Sequence, residues 1–224
     1  MLIATPLRFP ERSAIRRLRC GHCKQLKPIY EQLAAAFKDE PSVVIAAVNA
    51  DSEKTLGSRF EVSGFPTLKF FPRGKAFKVN PLTYDGKRTL PQMVSYINDK
   101  ASTFRTPSGG LSPAAGLLED MDALAVEFVA AAADARAAVI AKAKEAAGPR
   151  EAAAYYVKVM EKVAEKGIAF VASEGERLRR VKAGASITPA KSREMAVRIN
   201  VLGVFEGKGA GGEESDEETE SDLD

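Results

Sequence analysis

The sequence predicts an α/β domain followed by an all-helical domain, and three observations carry that prediction. Up to about residue 101, helix-like apolar spacing alternates with short strand-like runs. A stretch rich in Pro, Gly, Ser and Thr then intervenes. Beyond residue 116 only helical spacing recurs, in a vocabulary dominated by Ala with Val, Leu, Lys and Glu. A length of 224 residues suits two small domains, and an apolar fraction of 45% with 28% charged residues is that of a chain able to build cores.

In the first domain, Leu26, Ile29, Tyr30, Leu33 and Phe37 recur at three- and four-residue steps, which predicts an amphipathic helix from Lys24 to Lys38. Pro41-Ser42 breaks it. The β-branched run Val43 to Ala50 has strand length and reads as buried on both faces. A short helix is expected over Asp51 to Phe60, then an alternating strand over Thr67 to Phe71, directly after Phe65-Pro66. Proline is tolerated at a strand start, and the Phe65-Pro66 bond is a candidate cis peptide. Pro72-Arg73-Gly74 and Tyr84-Asp85-Gly86-Lys87 are turn signals that flank a strand at Lys75 to Val79. Thr89-Leu90-Pro91 opens a helix with Leu90, Met93, Val94 and Ile97 on one face.

Pro107, Gly109, Gly110 and Pro113 mark a linker. About five helices follow. Gly148-Pro149 separates two of them, Gly167 and Gly184 end others, and Thr188-Pro189 starts the last. Tyr156, Val159, Met160 and Val163 share one face, as do Met195, Ile199, Leu202 and Phe205. The expected organisation is a basic segment at 1–19, an α/β domain at 20–101, a linker at 102–115, a helical domain at 116–206 and an acidic tail at 207–224.

The net charge of +3 hides an uneven distribution: Arg8, Arg12, Arg16, Arg17, Arg19, Lys24 and Lys27 crowd the start, and Glu213 to Asp224 is acidic. The basic start lacks interleaved aromatics and any reading motif, so it is expected to be a solvated face that binds neither nucleic acid nor membrane. The acidic run has the composition of disorder and lacks the spacing of a calcium site. No apolar stretch approaches the roughly 18 residues of a membrane-spanning helix. Residues Met1 to Arg19 do not follow the order of a secretory signal, so the chain as it stands carries no export address.

There are two cysteines, Cys20 and Cys23, separated by Gly21 and His22. Alone, such a pair serves zinc, haem or redox chemistry. Covalent haem attachment needs His directly after the second Cys, where Lys24 stands. Structural zinc wants four protein ligands, and two sulfurs with one intervening imidazole fall short unless a second chain contributes. An inert buried pair fits poorly with Gly21 and polar flanks. Redox use fits the neighbours, because the dithiol meets the amino end of a predicted helix. There the macrodipole and a nearby His favour thiolate, lowering a cysteine pKa to about 3.5 to 7.5. His22, the one histidine, therefore has an electrostatic task between the thiols.

Three runs together make the resemblance specific: Cys20-Gly21-His22-Cys23-Lys24 with Pro28, then Val62-Ser63-Gly64-Phe65-Pro66-Thr67-Leu68-Lys69-Phe70-Phe71-Pro72, then Tyr84-Asp85-Gly86-Lys87-Arg88. Over residues 20–101 the chain resembles a catalytic, thioredoxin-like domain of the protein disulfide isomerase family. The resemblance implies Cys20 as attacking thiol, Cys23 as resolving thiol, Pro66 as a cis-proline beside them and Phe65 as the residue offering backbone to an extended substrate. Arg88 matches an arginine that lowers the pKa of the resolving cysteine, and Gly21 and His22 complete the supporting set. No cofactor or metal is expected beyond the Cys20-Cys23 pair. Tyr155-Tyr156, Glu165-Lys166-Gly167, Glu176-Arg177-Leu178, Ile187-Thr188-Pro189 and Arg198 to Leu202 resemble the all-helical D domain of certain disulfide isomerases and a related reticulum chaperone.

The departure lies upstream. The family precedes its dithiol with strand, helix and strand, including a buried acid and a Trp, whereas Arg19 stands where Trp belongs. The thioredoxin-like domain is thus expected to be incomplete, its first strands missing, as in a truncated or alternatively started form. Leu2 to Thr5 supplies at most a stub of strand, and loss of a central strand would leave its neighbours unpaired. The implied function is disulfide formation, reduction and rearrangement in unfolded or disulfide-containing polypeptides in the reticulum lumen. There a couple near −180 mV meets a poise of about −180 to −210 mV. The chain ends Ser-Asp-Leu-Asp, without a retention sequence, so this location rests on family alone. The alternative is a catalytically impaired form that holds partners through its helical domain; a homodimer stays open.

Overall fold

A computed structural model describes residues 2–4 as backbone, and residues 21–50, 52–72, 81–184 and 187–208. The basic segment after Ala4, Cys20, the strand expected at Lys75 to Val79 and the acidic run lie outside the described residues. The chain divides into two compact units, Met1–Ser112 and Pro113–Asp224.

The first unit contains β1 (Leu2–Ala4), α1 (Gly21–Ala36), β2 (Val44–Ala46), α2 (Lys54–Arg59), β3 (Lys69–Phe71), β4 (Leu82–Thr83) and α3 (Leu90–Ala101). The sheet order is β2-β1-β3-β4. The apolar spacing of α1 buries Leu26, Tyr30, Leu33 and Ala36. The helix starts at Gly21, ahead of the expected Lys24, so the second thiol is inside it. Pro28 lies in this helix and removes the amide that would bond the Lys24 carbonyl, at a cost of about 3 kcal/mol that core burial must offset. Each fully buried Leu, Ile or Phe returns about 1.5 to 3 kcal/mol. Leu26, Tyr30, Leu33, Leu68, Phe70 and Ile97 form one such core. Phe71 is also buried and meets Phe60 edge to face at 5.1 Å, so both faces of β3 are covered.

The sheet differs from expectation at two places. β2 is a ladder over Val44–Ala46, which pairs with the three described residues of β1. The neighbours of the expected gap are not left open: β1 runs between β2 and β3, antiparallel to the first and parallel to the second. β4, absent from the sequence reading, pairs antiparallel with β3. The short helix α2 begins at Lys54, three residues later than expected.

The division between units falls within the segment read as a linker, and residues up to Ser112 are tied to the first unit. Arg105, 6% exposed, is held by the Glu40 carboxylate at 3.3 Å and donates to the Asp39 carbonyl at 2.7 Å and the Gly109 carbonyl at 3.2 Å. The Asn98 side chain accepts from the Thr103 hydroxyl and the Arg105 amide, both at 2.9 Å, and donates to the Arg105 carbonyl at 2.8 Å. Every group a buried guanidinium needs is therefore supplied by main chain or by Glu40.

The second unit holds the expected five helices among its described residues: α4 (Glu119–Ala130), α5 (Arg136–Ala147), α6 (Glu151–Lys166), α7 (Ala169–Lys182) and α8 (Pro189–Phe205). Gly148 and Gly167 follow α5 and α6 at positive φ, and the Thr188 hydroxyl accepts from the Lys191 amide to cap α8. Met121, Phe128, Tyr156, Met160, Val163, Leu178, Leu202 and Phe205 share the core. Gly116 sits at φ +79°, and a Cβ there would run into Val197 Cγ1. Gly116→Ala is expected to destabilise this unit by about 1 to 3 kcal/mol, read as a lowered midpoint in urea.

Tyr155 and Tyr156 make this unit alkali-sensitive. Burial, reinforced by the Glu174 charge, pushes the Tyr155 phenol from 10.0 up to about 12. Burial and the bond to Asp122 raise Tyr156 as well. The folded unit retains protons that the unfolded chain releases above pH 10, so this stabilisation is complete below pH 10 and is lost as pH rises through about 12. Chemical denaturation at stepped pH should show the loss, and Tyr155→Phe should flatten it.

Candidate redox site

Gly21, His22 and Cys23 form the first turn of α1. The unsatisfied N–H groups and roughly half a positive charge at such a terminus favour a thiolate. Gly21 and His22 are exposed, whereas Cys23 is 8% exposed, directed inward like Leu26 one turn later. Cys20, immediately before the helix, lies outside the described residues.

The second part is the loop before β3. The Phe65-Pro66 peptide is cis. The Thr67 hydroxyl donates to the Gly64 carbonyl at 2.7 Å, bracing the turn, and Phe65 is 46% exposed beside the proline. Leu68, two residues after Pro66, enters the same core as Leu26, three residues after Cys23. The strand that carries the proline loop and the helix that carries the dithiol are thus anchored in one apolar cluster.

The third part is Arg88, exposed, whose Nη2 donates to the Pro66 carbonyl at 3.0 Å. The turn before it explains the Tyr84 to Arg88 motif. The Tyr84 hydroxyl donates to the Lys87 carbonyl at 2.6 Å, and its ring covers Gly86 so closely that a Cβ there would stand 2.7 Å from ring atoms. Tyr84 is itself seated edge to face against Tyr96 at 4.8 Å. Arg88 and Pro66, singled out separately in the sequence, are therefore brought into contact.

Sequence reasoning missed the Thr67 brace and the Tyr84 clamp. A hydroxyl directly after a Gly-Phe-Pro turn and a Tyr two residues before Gly were the available signals. Among the described residues, no group of three His, Cys, Asp or Glu is placed to hold a metal ion, and no helix is long and apolar enough to cross a membrane.

Residues 18–99 match the thioredoxin family, and residues 116–205 match the family described as endoplasmic reticulum protein ERp29, C-terminal domain. The chain is a thioredoxin-domain protein that carries an ERp29-type helical domain. It is, further, a homologue of proteins named protein disulfide-isomerase. Probable protein disulfide-isomerase A6 of Medicago sativa is 43% identical over 191 residues, covering 83% of this chain and 51% of the relative. Protein disulfide isomerase-like 2-1 of Oryza sativa subsp. japonica is 42% identical over 193 residues, 83% of this chain and 51% of the relative. Protein disulfide-isomerase erp38 of Neurospora crassa is 38% identical over 207 residues, 89% of this chain and 54% of the relative. The chain spans about half the length of these curated relatives.

Proposed function

We propose that the chain is a thiol-disulfide oxidoreductase acting on unfolded or disulfide-containing polypeptides in the endoplasmic reticulum lumen. The observation that carries this reading is the Cys-Gly-His-Cys run at the amino end of α1, with Cys23 buried and its helix sharing a core with the strand behind the cis-proline loop. The Cys20 thiolate attacks one sulfur of a substrate disulfide, forming a mixed disulfide and expelling the other substrate sulfur as thiolate. The Cys23 thiolate then attacks the Cys20 sulfur and releases the second substrate thiolate. Two electrons pass to the substrate, and Cys20-Cys23 is left as the disulfide. Run backwards, the same steps insert a disulfide, and partial runs rearrange one.

His22 assists by stabilising negative charge between the thiols, and the Phe65-Pro66 backbone receives the extended substrate. Arg88, held at the Pro66 carbonyl, supplies positive charge on the resolving side. The luminal location is supported by the reticulum name of the matching helical family and by the redox poise that lets both forms of such a couple coexist. Turnover of a disulfide-linked reporter and reactivation of a scrambled disulfide protein test the reading.

A second reading is a partner-binding protein that works through the helical unit. It is favoured by a cleft of about 380 Å³ at the α7–α8 junction, lined by Val181, Gly184, Ile187, Thr188, Lys191 and Met195. Suppression of client aggregation unaffected by loss of both thiols, with no disulfide turnover, is its signature.

A further inference from the structure

Residues 64–68 and 84–88 are joined at two points. The Tyr84 amide donates to the Leu68 carbonyl at 3.0 Å. The Arg88 guanidinium donates to the Pro66 carbonyl, also at 3.0 Å. Between these bonds the Tyr84 hydroxyl donates to the Lys87 carbonyl at 2.6 Å, and the Thr67 hydroxyl to the Gly64 carbonyl at 2.7 Å. A ring of bonds thus runs from Pro66 through Leu68 to Tyr84, on to Lys87 and Arg88, and back to Pro66.

The phenol is the fixed point of that ring. Tyr84 is buried and set edge to face on Tyr96 at 4.8 Å, and Tyr96 meets Phe70 edge to face at 6.0 Å. Tyr84 is therefore anchored to β3 by its amide and to α3 by its ring. A peptide group is planar, so holding the Lys87 carbonyl oxygen also fixes the Arg88 Cα from which the side chain departs. Arg88 is exposed, and an exposed arginine has many rotamers open to it. A fixed starting point is what keeps the Pro66 carbonyl within its reach. Packing alone does not call for the hydroxyl: a Phe ring would cover Gly86 and meet Tyr96 equally well. A loop ordered in advance loses less freedom when an extended chain docks on it.

We infer that Tyr84 is a positioning residue for substrate capture: acting through the Lys87 carbonyl and Arg88, its hydroxyl holds the Phe65-Pro66 loop in the shape that receives an extended polypeptide. This role rests on the disulfide-exchange reading, which makes that loop the substrate-receiving element, and adds to it a residue remote from the reacting sulfurs.

The test uses the full chain, a fluorescent extended peptide with Ser in place of Cys followed by anisotropy, and a disulfide-linked form of the same peptide for turnover. Tyr84→Phe keeps the ring and removes the donor. It is expected to weaken peptide binding about fivefold and to raise KM to match, while kcat falls less than twofold. Arg88→Met should weaken binding about tenfold, and the double variant no further, because Tyr84 acts through Arg88. Binding by Tyr84→Phe equal to that of the unmodified chain overturns the inference. So do additive losses in the double variant, equal losses in KM and kcat, or no saturable binding by the unmodified chain. No turnover by the unmodified chain, with peptide binding still dependent on the Tyr84 hydroxyl, removes the oxidoreductase reading and leaves the capture role standing. If Tyr84→Phe fails to fold, Arg88→Met decides: weakened binding with faster hydrogen exchange at the Thr67 and Leu68 amides upholds the inference, and unchanged binding overturns it.

Discussion

Cys20→Ser is expected to reduce disulfide turnover by this chain to the uncatalysed background. A hydroxyl does not ionise near neutral pH, so the first exchange with a substrate sulfur has no nucleophile. Cys23→Ser should have a different signature. It leaves the attacking thiol in place but removes the internal one, so multiple turnover fails while the mixed disulfide with substrate accumulates. Non-reducing electrophoresis and intact mass should show that adduct with Cys23→Ser and not with Cys20→Ser. The asymmetry follows from position: Gly21 and His22 face solvent, and Cys23, at 8% exposed, is shielded from bulky substrates. Wild-type turnover in Cys20→Ser would refute the oxidoreductase reading. Inactivity of the unmodified chain in both assays, with client binding retained, would favour the partner-binding reading.

Arg105→Ala is expected to destabilise the first unit by about 3 to 5 kcal/mol, because it leaves the Glu40 carboxylate buried without its countercharge. Against a domain stability of about 5 to 15 kcal/mol, that loss is enough to unfold much of the population at physiological temperature. The Asp39 and Gly109 carbonyls lose their donors at the same time. The double variant Glu40→Gln with Arg105→Met should be less destabilised than Arg105→Met alone, since no uncompensated charge then remains. Hydrogen exchange at Leu33 and Ile97, which lie in the core of this unit, reads the effect directly. Full protection of both amides in Arg105→Ala would show that the ion pair is dispensable.

Much of the domain organisation was legible because it is written in local spacing. The steps from Leu26 to Phe37 produced α1, and Leu90 to Ile97 produced α3. The punctuation at Gly148, Gly167 and Thr188 marked the helix ends of the second unit. A contiguous Cys-x-x-C at a helix start and a Pro at a strand start announce themselves in the same way. Boundaries were less legible. Val43 to Ala50 reads as one strand, yet the ladder among the described residues covers Val44–Ala46, because pairing depends on a partner that local spacing does not show.

The sequence by itself determined most of the element types, the division into an α/β part and a helical part, and the Cys-Gly-His-Cys run that meets the start of α1. Each depends on neighbours within a turn or two of the chain. Only the tertiary structure decided that Arg88 reaches the Pro66 carbonyl across 22 positions, that Glu40 and Arg105 meet across 65, and that Leu2–Ala4 runs between β2 and β3. Those pairings have no local signature. The last two exist because collapse around the apolar core leaves a carboxylate or a strand edge where bonding to the solvent is lost, and a distant part of the chain must satisfy it.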